Sequence, residues 1–198
     1  LQIRHPGEKF VARAENEWTL AQQVSICEIP APPFKESIRA AEMQRRFASL
    51  GMSSVRLDGI GNVVAEWPGR SRKPVVVLSA HLDTVFPEGT DVRVQRNGSV
   101  FSGPGIGDDC RGLAVLLVVA RALAETKVQL EGTIVFVATV GEEGLGNTRG
   151  ARHLVEKEMP GAVDYFITVD SDEFDVVTRA VGSNRYDITF RGPGGHSY

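Results

Sequence analysis

Pro74-Val75-Val76-Val77-Leu78-Ser79-Ala80-His81-Leu82-Asp83 is the stretch whose reading decides the fold. From Val75 to Ala80 the chain is almost continuously apolar and carries no charge. A strand with one wet face would alternate apolar and polar residues. An unbroken run instead predicts a strand covered on both faces, as in a parallel sheet between helices. An imidazole and a carboxylate follow at once. Open α/β sheets bind their ligands beyond the carboxyl ends of the strands, so His81 and Asp83 fall where chemistry is expected.

Two more runs repeat the pattern. Gly132 to Val140 ends in Gly141-Glu142-Glu143, and Tyr165 to Val169 ends in Asp170. Between the runs, helical stretches are expected from Asp109 to about Ala124 and around Ala151 to Lys157. Upstream, a helix runs to about Ile26. The prolines 30, 32 and 33 then force an extended loop. Ala40, Met43, Phe47 and Leu50 recur at helical spacing, with Gly51 as the C-terminal cap. Val55 to Leu57 and Asn62 to Trp67 flank Asp58-Gly59-Ile60-Gly61, a hairpin pattern. Val92 to Gln95 and Val100-Phe101 flank Asn97-Gly98, a second hairpin. Tyr186 to Phe190 alternates like a half-exposed strand. The expected fold class is α/β, a three-layer α/β/α arrangement with a mixed, largely parallel central sheet.

At 198 residues the chain holds one full-sized α/β domain and a little more. A net charge of -3 gives no electrostatic case for nucleic acid or anionic lipid as a partner. No apolar run approaches the ~20 residues of a membrane span, so no membrane partner is expected. Leu1 to Glu17 shows no basic segment leading into an apolar core, hence no visible signal peptide. Two cysteines, Cys27 and Cys110, make no disulfide framework and suit a reduced, cytoplasmic setting.

Four segments therefore bring histidine or carboxylate groups toward one rim. They are His81 with Asp83, Asp108 with Asp109 after the loop Gly103-Pro104-Gly105-Ile106-Gly107, Glu142 with Glu143, and Asp170. So many anions repel one another unless a dication compensates them. Imidazole and carboxylate donors suit zinc, with cobalt or manganese as substitutes. One carboxylate can bridge two ions about 3.5–4 Å apart. In His81-x-Asp83 the carboxylate is spaced to hold the second ring nitrogen. In Glu142-Glu143 one residue can bind metal while the other accepts a proton from water. Each piece also has a plainer account. Asp108-Asp109 caps a helix, Glu142-Glu143 is a solvated pair, and Asp170 is a loop carboxylate. Their joint occurrence at strand exits favours the metal centre.

Ser79-Ala80-His81-Leu82-Asp83-Thr84-Val85, then Gly103 to Asp109, then Glu142-Glu143-Gly144, then Asp170, resembles a metallopeptidase family. It is the two-zinc family of glutamate carboxypeptidase, aminoacylase, peptidase T and succinyl-diaminopimelate desuccinylase. The resemblance implies that Asp108 bridges two zinc ions, that His81 and Asp170 complete one site, and that Glu143 binds the other. It makes Glu142 the general base and Asp83 the residue that orients His81. It also implies a cis peptide between Asp108 and Asp109. The implied activity is exopeptidase hydrolysis of a small peptide, with deacylation of an N-acyl amino acid, or an inactive zinc-binding fragment that lacks the family's final histidine ligand, as the alternatives.

The same resemblance divides the chain into a catalytic domain over 1–182 and, over 183–198, the first strand of a lid domain through which the family forms homodimers. His196, in Arg191-Gly192-Pro193-Gly194-Gly195-His196, matches a lid histidine that contacts substrate. Two departures stand out. Cys110-Arg111-Gly112 replaces the usual Lys-Gly, and Cys110 reads as a packing residue. The family's last metal ligand is a histidine beyond the lid. Of the remaining histidines, His5 falls in a leader and His153 reads as an exposed helix residue, so neither matches. With His81, Asp108 and Asp170 as the one complete donor set, this chain is expected to hold one zinc tightly against two in the family.

Overall fold

The computed structural model describes residues 16–170, 179, 182, 184 and 186–196. In chain order its elements are α1 (Asn16–Cys27), α2 (Ser37–Ser49), β1 (Ser53–Leu57), β2 (Val63–Trp67), β3 (Val75–His81), β4 (Gln95–Asn97) and β5 (Val100–Ser102). They continue with α3 (Cys110–Thr126), β6 (Thr133–Thr139), α4 (Arg149–His153) and β7 (Tyr165–Thr168). The main sheet has the order β1-β2-β6-β3-β7. β3 lies parallel to both β6 and β7, whereas β1-β2 and β2-β6 pair antiparallel.

The uncharged run in β3 is explained by what lies above and below it. Leu78 and Ala80 pack with helices α1, α2 and α3, while Val75 and Val77 face the opposite layer with Leu154, Met159 and Val163. β6 alternates likewise, Phe136 and Ala138 to one side, Val135 and Val137 to the other. Successive side chains in a strand point to opposite faces, so a strand buried on both needs apolar residues throughout. Helices on both faces make the three-layer α/β/α architecture read from the sequence.

Helix α3 buries Leu113, Leu116, Leu117, Ala120 and Leu123 at the 3- and 4-residue steps of one helical stripe. Each fully buried leucine contributes roughly 1.5–3 kcal/mol. α2 presents Ala40, Met43 and Phe47, and the Phe47 ring meets Phe136 at a centroid distance of 6.0 Å. Gly51 follows α2 at φ +75°, the left-handed conformation of a helix C-terminus, as its position predicted.

Three local expectations change. In the second hairpin Asn97 pairs with Val100, so the two-residue turn is Gly98-Ser99, with Gly98 at φ +63°. The helix expected around 151–157 is five residues of α-helix followed by a π-helical turn over Leu154–Glu158. Residues 186–190 form no strand and lie exposed, because no partner strand meets their backbone groups among the described residues.

Candidate metal centre

Every strand exit singled out by the sequence opens on the same rim. His81 closes β3 and is 2% exposed. Its Nε2 stands 2.8 Å from Asp108 Oδ1 and 4.0 Å from Asp170 Oδ2. Single donor atoms of His81, Asp108 and Glu143 lie within 4.8 Å of one another, as do those of His81, Asp109 and Asp170. The imidazole is thus shared by two carboxylate pairs. Asp108 and Asp170 fall in different groups rather than together in one set with His81. A cleft of about 100 Å³, lined by His81, Thr139, Glu142, Thr148 and Asp170 among others, adjoins the rim.

Main-chain contacts hold the imidazole in place. Nδ1 is 2.9 Å from the backbone oxygen of Asp83, and the Asp83 carboxylate stands farther off at 3.6 Å. That carboxylate is fully buried and accepts the N–H groups of Glu142 at 3.0 Å and Glu143 at 2.9 Å. One aspartate therefore ties the β3 exit to the β6 exit. Burial opposes its charge, but His81 and the two N–H groups outweigh burial and hold its pKa below the usual carboxylate range.

Asp109 does similar work on the other side. Its Oδ1 accepts the Gly112 N–H at 2.9 Å and caps α3, while Oδ2 accepts the His81 N–H at 2.9 Å. A Cβ on Gly112 would lie 2.1 Å from Asp109 Oδ1 and 2.1 Å from Val169 O, so only glycine fits between helix and rim. The Asp108–Asp109 peptide is cis, as the resemblance implies.

The electrostatics are those of an anion cluster. Burial, reinforced by Asp170, pushes the Asp109 carboxyl up to about 7 despite its hydrogen bonds. Glu142 and Glu143 are also raised, first by burial and then by neighbouring carboxylates, Asp108 among them. Burial works against a charged His81, yet Asp83, Asp109 and Asp108 overcome it and raise the ring to about 10. Carboxylates crowding one buried imidazole take up protons when no cation balances them. That donor chemistry fits divalent metal, with nitrogen and oxygen ligands of the kind zinc accepts.

Sequence reasoning passed over four supports. Arg39 is 1% exposed and donates from Nη1 to Leu82 O at 2.7 Å and from Nε to Ile29 O at 3.0 Å, fixing the chain between His81 and Asp83. Asn62, fully buried, accepts the Val140 N–H at 2.9 Å and donates to Gly150 O at 3.0 Å. Glu36 accepts the Gly141 N–H at 3.1 Å and pairs with Arg149 Nη2 at 3.0 Å. These residues hold the backbone that presents Glu142 and Glu143. Cys110 is a core residue, and its thiol is pushed up by Cys27 and by burial, so packing rather than reactivity accounts for it. His196 is exposed and joins none of the donor groups among the described residues.

Residues 62–186 match the model of peptidase family M28. Carboxypeptidase G2 from Pseudomonas sp. strain RS-16 is 31% identical over 144 residues, covering 68% of this chain and 34% of that protein. Among solved structures, aminopeptidase PepT from Bacillus cereus superposes with a TM-score of 0.66 at 25% identity, over 79% of this chain and 44% of that one. Aminoacylhistidine dipeptidase from Vibrio alginolyticus gives a TM-score of 0.61 at 26% identity, over 84% of this chain and 36% of that one. The chain thus spans between a third and a half of the length of these relatives. The matches bear out the resemblance read from the sequence. Among the described residues no helix is long and apolar enough to cross a membrane.

Proposed function

The chain belongs to peptidase family M28, and on that premise we propose that it carries the metal-binding rim of an exopeptidase that cleaves small peptides. The observation that carries this reading is the sharing of one buried imidazole between two carboxylate pairs, His81 with Asp108 and Glu143, and His81 with Asp109 and Asp170. The one free ring nitrogen, Nε2, would hold a single zinc ion, with Asp108 nearest the ring. A second ion would have only carboxylates, Glu143 among them, to hold it, in keeping with the one tightly held zinc expected of this chain. When bound, the ions supply Lewis-acid stabilisation of negative charge on the carbonyl oxygen.

The chain's own residues do the rest. Glu142, beside the cleft, is not required by the first donor group and has its pKa raised, which suits a group that must gain and lose a proton. Its carboxylate takes the proton of the attacking water and returns it to the leaving amine nitrogen. Asp83 holds the Glu142 and Glu143 backbone and so sets the distance between base and ligand. A small peptide substrate agrees with what the names of carboxypeptidase G2 and the dipeptidase say of those proteins.

The test uses the natural gene product that carries this chain. Glu142→Gln should lower turnover of dipeptides by at least about 1000-fold while zinc content, measured by elemental analysis, stays unchanged. Loss of zinc together with turnover would make Glu142 a ligand. Preference for N-acyl amino acids over di- and tripeptides would replace the peptidase reading with a deacylase.

A further inference from the structure

Away from the rim, at the turn between β1 and β2, three more side chains converge. Donor atoms of Asp58, His153 and Glu158 lie within 4.8 Å of one another. His153 is not the exposed helix residue its sequence suggested. Its side chain is 22% exposed and its Nε2 is buried without a hydrogen-bond partner among the described residues. Buried ring nitrogens in native proteins nearly always have a partner. The nearest carboxylate oxygen, Glu158 Oε1, is 3.5 Å away. That is too far for the charge-assisted hydrogen bond of about 2.7–2.9 Å that an imidazolium and a carboxylate would form. It is close to the spacing of two ligands on one tetrahedral zinc, roughly 3.3 Å for bonds of 2.0–2.1 Å.

The backbone is built to make this meeting. His153 and Glu158 are five residues apart, a step that places side chains about 140° apart on an α-helix. The π-helical turn over Leu154–Glu158, closed by the Met159 N–H donating to Leu154 O at 2.8 Å, widens the coil and returns both residues to one face. Such turns are rare and recur at functional sites. The carboxylates are also held as ligands are. Arg56 takes Glu158 Oε2 at 3.1 Å and leaves Oε1 toward the ring. The N–H groups of Ile60, Gly61 and Asn62 fix Asp58 Oδ1, while Oδ2 accepts from Asn62 Nδ2.

We infer that Asp58, His153 and Glu158 form a second metal site, a zinc clip with one nitrogen and two oxygen ligands and a fourth position for water. It joins the β1-β2 turn to the segment that follows the Glu142-Glu143 exit. Its role is structural, because it lies outside the cleft.

Zinc titrated into the chain carrying His81→Ala and Asp108→Asn tests this, since those changes strip the rim of its imidazole and one carboxylate. The expected result is about one equivalent bound, with a melting temperature raised by roughly 5–10 °C at zinc 100-fold above the dissociation constant. Adding His153→Gln should abolish both effects. Absence of saturable binding, or binding that His153→Gln leaves unchanged, overturns the site. The unmodified chain gives a reading that needs no variant. Excess zinc should move the His153 ring resonances in its NMR spectrum, and resonances unmoved by zinc overturn the proposal equally.

Discussion

The ring nitrogen Nδ1 of His81 meets the main-chain oxygen of Asp83 at 2.9 Å, not its carboxylate, which stands at 3.6 Å. The HxD spacing therefore works differently from the simple ring-to-carboxylate contact. The two-residue step curls the backbone so that a carbonyl fixes the tautomer, and the carboxylate is released to bind the Glu142 and Glu143 N–H groups. The buried imidazole and the glutamate pair opposite it are thereby set by one residue.

Asp83→Asn should separate these two duties. Asparagine keeps the backbone carbonyl beside His81 but turns one acceptor into a donor facing an N–H. We expect a loss of about 1–3 kcal/mol in urea unfolding. Zinc affinity should change by less than about 10-fold, while turnover of the natural gene product falls by roughly 100-fold. The reverse, an intact stability with zinc affinity lost, would mean that the carboxylate itself orients the ring.

Gly112→Ala is expected to be far more damaging than a glycine-to-alanine change in a helix normally is. Alanine is the better helix former by about 1 kcal/mol. Here its methyl group would fall 2.1 Å from both Asp109 Oδ1 and Val169 O. The helix must move, the Asp109 cap breaks, and the His81 N–H loses its acceptor. Net destabilisation of about 3 kcal/mol or more is expected from denaturant unfolding, with loss of zinc binding at the rim. A neutral or stabilising result would mean that α3 can slide without disturbing the rim.

The convergence of His81 with the acidic residues is legible in the sequence because strand exits concentrate chemistry and because β3 and β6 are apolar on both faces. A run such as Val75 to Ala80 suits a strand covered on both sides and little else. The supports are not legible in the same way. Asn62, Glu36, Arg39 and Arg149 are polar residues whose partners lie far along the chain. Asn62, for example, reaches Val140 and Gly150, and nothing in its own neighbours announces that. Asp109 reads only as a helix cap, because its second bond goes to the main chain of His81. His153 reads as exposed because its cover comes from far along the chain, at Gly59 in the β1-β2 turn, and because helical periodicity cannot show the π-helical turn that brings Glu158 back beside it. Nothing in the alternation of Tyr186 to Phe190 reveals whether a partner strand is there to receive it.

The last expectation concerns protons. In the metal-free chain His81 is raised to about 10, above the ordinary histidine value, so the ring is charged at neutral pH. The stability that the charged ring contributes is complete below the unfolded value near 6.5 and disappears as pH climbs through about 10. Asp109, raised to about 7, is still about half protonated at neutrality. Metal needs a neutral imidazole and ionised carboxylates, so uptake must expel these protons. At pH 7 binding of zinc should release between about one and two protons, and affinity should rise roughly tenfold for each pH unit from 7 to 9. Calorimetry in buffers of different ionisation enthalpy measures the release directly. His81→Ala should lower it by about one proton if some zinc still binds. Zinc uptake with no proton release would exclude His81 as the ligand that holds the metal.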